Sequence, residues 1–159
     1  VGEQLMSVED RLESIGLSLP DLPKPSGHYL GAVQAESFLY VSGVTCKWNG
    51  TLPYRGRVGE DLSLEEGYEA ARLTTLNQLA IVKETIGSLR LIERVVKVTG
   101  YVSCAPGFPD VPKVINGSSD LLVELFGDSG KHARCAVGVS SLPGNAAVET
   151  DLLVLLKKG

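Results

Sequence analysis

Apolar residues recur along this chain with two periods. Helical spacing appears three times. Val8, Leu12 and Ile15 fall on one face behind Ser7, with Glu9 and Asp10 in the first turn and Gly16 as a stop. Tyr68, Ala71, Thr75, Leu79, Val82 and Ile86 form a stripe over residues 64–86, opened by the capping box Ser63-Leu64-Glu65-Glu66 and ended by Gly87. Val114, Leu121, Leu122 and Leu125 do the same over residues 112–126, ended by Gly127. Period-two, β-branched runs predict strands at 28–35, 38–43, 95–103, 134–140 and 147–156. In the second of these, Phe38, Tyr40 and Ser42 share one face, and Leu39, Val41 and Gly43 the other.

The order is α, ββ, α, β, α, ββ. Helices and strands do not alternate one to one, which argues against a doubly wound parallel sheet. An α+β domain fits, with a mixed sheet covered on one face by the two long helices. A Pro-rich link, LSLPDLPKPSG, joins the first helix to the first strand. Residues 46–61 form a turn-rich connection in which Asn49-Gly50 is a hairpin signal.

Composition narrows the class. With 159 residues, one domain spanning 1–159 is expected, with residues 7–16 as an N-terminal helical extension. The formal charge of −4 speaks against a general nucleic-acid binder, which needs a basic face. No apolar run reaches the roughly 18 residues of a membrane span. Cys46, Cys104 and Cys135 are odd in number and form no Cys-x-x-Cys pair, which points to a reducing, cytoplasmic setting. With His28 and His132 as the only histidines, no metal-ligand spacing appears. No signal peptide is apparent, and Met6 is a candidate start with Val1–Leu5 as a leader.

The C-terminal stretch carries the candidate chemistry. Taken as a hairpin across Leu142-Pro143-Gly144-Asn145, its strands put Cys135, Val137 and Val139 on the core side with Val148, Leu152, Val154 and Leu156. That register pairs Ala136 with Glu149. It places Arg134, Ala136 and Gly138 on the opposite face with Glu149, Asp151, Leu153 and Leu155, the two charges one diagonal apart. The second face is also apolar, and no helix remains to cover it. A further subunit is therefore expected there. An Arg–Glu pair in this place is either an exposed ion pair worth about 0–1 kcal/mol or a site. In a site, a guanidinium binds a substrate carboxylate through two charge-assisted hydrogen bonds, and an acid deprotonates water.

The stretch R134-C-A-V-G-V-S-S-L-P-G-N-A-A-V-E149 resembles the signature of the Rid/YjgF family, also known as the L-PSP endoribonuclease family. G27-H-Y29, Y40-V-S42-G43, the helix L73-T-T-L-N-Q-L79 and the strand V95-V-K-V-T-G-Y-V102 are similar as well. The resemblance covers about Pro25 to Leu156. It implies a chorismate-mutase-like α+β fold and a homotrimer with clefts between subunits. It also implies cofactor-free hydrolysis of 2-imino or enamino acids to 2-keto acids and ammonia. Carried over, Arg134 holds the substrate carboxylate and Glu149 places or activates water. The Ala136 backbone bonds the substrate, Tyr29 and Ser42 line the cleft, and Asn116 matches a family asparagine.

Three departures bear on this. Many members carry cysteine where Ala136 stands, and a backbone role tolerates that change. The N-terminal helix and the longer 46–61 connection mark a distinct branch. Cys135, on the core side of the hairpin register, reads as a buried thiol. Other readings of the same residues are a non-catalytic binder of small carboxylates and a ribonuclease or translation inhibitor using His28 and His132. Trp48, Tyr54, Arg55 and Arg57 form a basic–aromatic patch, but Glu60 and Asp61 follow directly, so a loop near the cleft mouth is expected.

Overall fold

The Ser63 side chain accepts a hydrogen bond from the Glu66 amide, and the Glu66 carboxylate accepts one from the Ser63 amide, each at 3.1 Å. This reciprocal cap opens α2 (Leu64–Ile86), the longest element of a computed structural model that describes residues 6–25 and 27–159. The leader expected at Val1–Leu5 lies outside the described residues. Before α2 come α1 (Val8–Ser14), β1 (Ala32–Ala35) and β2 (Phe38–Thr45). After it come β3 (Ile92–Ser103), α3 (Val111–Phe126), β4 (Ala133–Val139) and β5 (Val148–Leu156). Ser7 caps α1 by accepting from the Asp10 amide. Asn49 and Gly50 both have positive φ, at 47° and 83°, and Trp48 and Thr51 exchange backbone hydrogen bonds around them, as the Asn-Gly signal predicts.

The strands form one sheet in the order β1-β2-β5-β3-β4. Only β3 and β4 are parallel. The chain passes from β2 over β5 to β3 through α2, and from β3 to its parallel neighbour β4 through α3, the kind of helical crossover parallel neighbours require. The fold is of the chorismate-mutase-like α+β kind.

The terminal hairpin is not formed. β3 lies between β4 and β5, pairing with both. The link between them runs across the end of β3, where the Ser103 amide donates to the Ala147 carbonyl at 2.9 Å. Register then decides the faces. Val98, Gly100 and Val102 align with Arg134, Ala136 and Gly138 on one side and with Leu152, Thr150 and Val148 on the other. This face meets the helices: α3 contacts β3 and β4, and α2 contacts β2 and β5. Leu39, Leu79, Val98, Leu121, Leu152 and Val154 are buried in the core there.

The opposite face carries Thr99 and Tyr101 beside Asp151 and Glu149 on β5 and Cys135 and Val137 on β4. It continues through Leu153 and Leu155 to Tyr40 and Phe38. The expectation that Cys135, Val137 and Val139 face the core is therefore wrong. Cys135 is exposed rather than buried, and Val137 is 39% exposed. The physical reason is the closeness of α3. A Cβ at Gly100 would stand 2.5 Å from Ile115 Cδ1, and one at Gly138 would stand 2.7 Å from Cys104 Sγ. Gly100 packs against Ile115 of α3 and Gly138 against Cys104 just after β3, so the interior of this face takes small residues at 100, 136 and 138, and β4's larger apolar side chains take the other face.

Candidate functional site

Two clusters gather the residues singled out from the sequence, and they stand on opposite faces of the sheet. The first is built on β4 and α3. Arg134 Nη1 donates to Asn116 Oδ1 at 2.7 Å and to Ser119 Oγ at 3.2 Å. Asn116 and Ser119 are three apart on α3, so one helix face presents both acceptors. Arg134 is nevertheless exposed. Both of these hydrogen bonds leave from Nη1, so the Nε–Nη2 edge of the guanidinium can meet a carboxylate side-on, in the two-point geometry of Arg–carboxylate pairs. Ala136 lies two residues along β4 on the same face. β4 is an edge strand, and such a strand presents main-chain groups outward as well as to its single neighbour. A cleft of about 400 Å³ continues beyond it, lined by Gly138, Cys104, Phe108 and Val111, and it contains neither Arg134 nor Glu149.

Behind Arg134 stands His132. Its Nδ1 is 2.6 Å from the Gly130 carbonyl, and its Nε2 is 2.9 Å from Ser119 Oγ. Burial holds this imidazole below its usual range, and the charge of Arg134 adds to that, against the bond to Gly130, which acts the other way. With both ring nitrogens engaged, His132 is placed as part of a scaffold rather than as a free acid–base group. From the sequence, His132 is a candidate only as part of the alternative ribonuclease pair with His28, and Ser119 is not a candidate at all. The signal for Ser119 is its i+3 spacing from Asn116, which acquires meaning only once α3 is known to lie over β4.

The second cluster is built on β1, β2 and β5. The β2–β5 register shifts between Val41 and Val44, so Ser42 and Gly43 sit in a bulge. Ser42 donates from Oγ to the Leu30 carbonyl at 2.6 Å and from its amide to the Gly31 carbonyl at 2.8 Å. These bonds hold the segment that follows Tyr29 against the bulge, and Tyr29 itself is half-exposed. Gly43 is a candidate functional position that its sequence pattern does not mark by itself. A Cβ there would stand 3.5 Å from the Glu149 carboxyl carbon, so glycine leaves the approach to that carboxyl open. Glu149 is half-buried. Burial first, and the negative charge of Asp151 second, push its carboxyl above the usual range. Tyr101, opposite Glu149 on β3, is raised in turn by burial and by Asp151 and Glu149.

Arg134 and Glu149 do not meet within one protomer. They project from opposite faces, and β4 and β5 are two strand spacings apart, about 10 Å. The shared face inferred from the hairpin register is overturned by the insertion of β3. Among the described residues, no three His, Cys, Asp or Glu side chains cluster as a metal site, and no helix is long and apolar enough to cross a membrane.

Comparison with known proteins agrees with this architecture. Residues 9–156 match the family model described as "YjgF/chorismate mutase-like, putative endoribonuclease". Protein TCP17 of Trypanosoma cruzi is 39% identical over 150 residues, 94% of each chain. A 2-iminobutanoate/2-iminopropanoate deaminase of Dermatophagoides farinae is 30% identical, with 89% of this chain and 95% of that one covered. The crystal structure of an Agrobacterium tumefaciens protein of unknown function superposes with a TM-score of 0.89 at 38% identity, covering 94% of this chain and 92% of that one. With the family model spanning nearly its whole length, the chain belongs to the YjgF/chorismate-mutase-like (Rid) family.

Proposed function

We propose that this protein hydrolyses reactive 2-imino and enamino acids to 2-keto acids and ammonia, in clefts shared by neighbouring protomers of a homotrimer. The observation that carries this is the division of the machinery. An oriented, exposed guanidinium sits at one sheet edge, and a half-buried carboxyl sits on a different face that the protomer leaves apolar and open. Tyr40 is 53% exposed and Val33 52% exposed on that face, which is the kind of patch a second copy covers.

In this reading Arg134 of one protomer binds the substrate carboxylate, with the Ala136 main chain beside it. Tyr29, Ser42 and Glu149 of the neighbour line the other wall. Glu149 takes a proton from water as its oxygen adds to the imine carbon. The resulting carbinolamine loses ammonia, its nitrogen taking up a proton as the C–N bond breaks and the carbonyl forms. The imine carbon is already electrophilic, so positioning supplies much of the acceleration. A carboxyl held above its ordinary range is better matched to proton transfer near neutrality. The relative named as a 2-iminobutanoate/2-iminopropanoate deaminase supports the substrate class.

The test generates 2-aminoacrylate in situ with a pyridoxal-phosphate lyase and follows keto-acid release. The protein is expected to accelerate release, and Arg134→Ala to abolish the acceleration. No acceleration by the native protein, with 2-keto acids still bound, would favour a carboxylate-binding protein instead.

A further inference from the structure

The proposed reading leaves Ser119 and His132 without a task, yet their hydrogen-bond directions are fully determined. The Gly130 carbonyl can only accept, so the neutral imidazole carries its proton on Nδ1 and Nε2 is an acceptor. The Ser119 hydroxyl must then donate to Nε2. Its oxygen is thereby turned to accept from Arg134 Nη1. The chain of donors runs one way, from Arg134 to Ser119 to His132 to the backbone at Gly130.

From this geometry we infer that Ser119 and His132 are a positioning relay that fixes the Arg134 guanidinium for its carboxylate ligand. Asn116 holds the same Nη1 from the preceding turn of α3, so the guanidinium plane is set by two acceptors rather than one. An arginine side chain loses rotamer freedom when it binds, and one already fixed loses less. The relay contributes to ground-state and transition-state binding alike, because the carboxylate it serves does not react. Its loss is therefore read in KM and not in kcat. The low-lying titration of His132 keeps the ring neutral, as the relay requires.

The inference rests on the proposal that Arg134 binds a carboxylate, so the experiment separates the two. Binding of 2-oxobutanoate is measured by calorimetry for the native protein and for Arg134→Ala, Ser119→Ala, Ser119→Thr and His132→Phe, with kcat and KM for each variant that turns over. The expected result is no binding by Arg134→Ala and an affinity about tenfold weaker in Ser119→Ala and His132→Phe, with kcat within about twofold. Ser119→Thr, which keeps the hydroxyl, restores most of the affinity. Nitrogen-15 NMR of the native imidazole shows the neutral ring protonated at Nδ1. Native affinity in both Ser119→Ala and His132→Phe, alongside loss in Arg134→Ala, overturns the relay and leaves the carboxylate reading standing. A neutral ring protonated at Nε2 also overturns the relay. Failure of the native protein to bind 2-oxobutanoate overturns both.

Discussion

Two inactive variants of this protein are expected to restore one another when mixed. In the proposed site, Arg134→Ala removes two charge-assisted hydrogen bonds to the substrate carboxylate, about 1.5–3 kcal/mol each. A loss of roughly 3–6 kcal/mol corresponds to about a hundred- to ten-thousandfold in kcat/KM. Glu149→Gln removes the proposed base and is expected to leave a similarly small residue of activity. The two side chains leave opposite faces of the sheet, so the proposed site takes Arg134 from one protomer and Glu149 from another. In a random assembly of equal amounts of the two variants, the first contributor carries Arg134 half the time and the second carries Glu149 half the time. About one site in four is then native, and about a quarter of native activity returns. The converse mixture sharpens the result. Native chains mixed equally with the Arg134→Ala/Glu149→Gln double variant should retain about a quarter of full activity if sites are shared, and about a half if each protomer is self-sufficient. The assay is keto-acid release after unfolding and joint refolding, with tagged chains to confirm that subunits have exchanged. Exchanged mixtures that stay at the level of the parent variants would refute the shared site.

Two further predictions concern stability. The Glu149 pKa is raised by burial and Asp151, so its contribution to folding is complete below the ordinary carboxylate range and is lost as pH rises through its folded value. Glu149→Gln should therefore raise the melting temperature at pH 7 and change it little at pH 4, measured by circular dichroism, although it removes activity; equal effects at both pH values would contradict this. Gly117 lies where α3 crosses α2, and a Cβ there would stand 2.0 Å from the Tyr68 carbonyl oxygen, a backbone atom that cannot swing aside. Gly117→Ala should cost about 3 kcal/mol and lower the melting temperature by about 6–12 °C; an unchanged melting temperature would show that α2 and α3 can separate without loss.

Much of the local structure is legible without coordinates because its causes are local. The capping box at Ser63 and Glu66, the Asn49-Gly50 turn, the glycine stops and the stripe on α2 depend on residues within a few positions of one another. The strand starts are less exact. β1 begins at Ala32 rather than at residue 28, since the Leu30 and Gly31 carbonyls are taken by Ser42 from outside the ladder. The inward-facing set on β5, from Val148 to Leu156, is also readable, because a central strand under a helix obeys simple alternation.

The sequence by itself determined the helices, the strand segments, the α+β class and the identity of the arginine and the glutamate, through periodicity and a specific run from Arg134 to Glu149. Which strand lies beside β4 is a different kind of fact. A strand from mid-sequence entered between the last two, and no pattern within residues 134–156 reports a neighbour that far away in the chain. The face of β4 was decided in the same way, since Ile115 of α3 and Cys104 close the space around Gly100 and Gly138, leaving room on β4 for small residues and for an arginine at the edge. Apolar side chains then turned outward, reversing the usual link between hydrophobicity and core. Tertiary packing alone therefore set Arg134 and Glu149 back to back, and gave Ser119 and His132 their places behind the guanidinium.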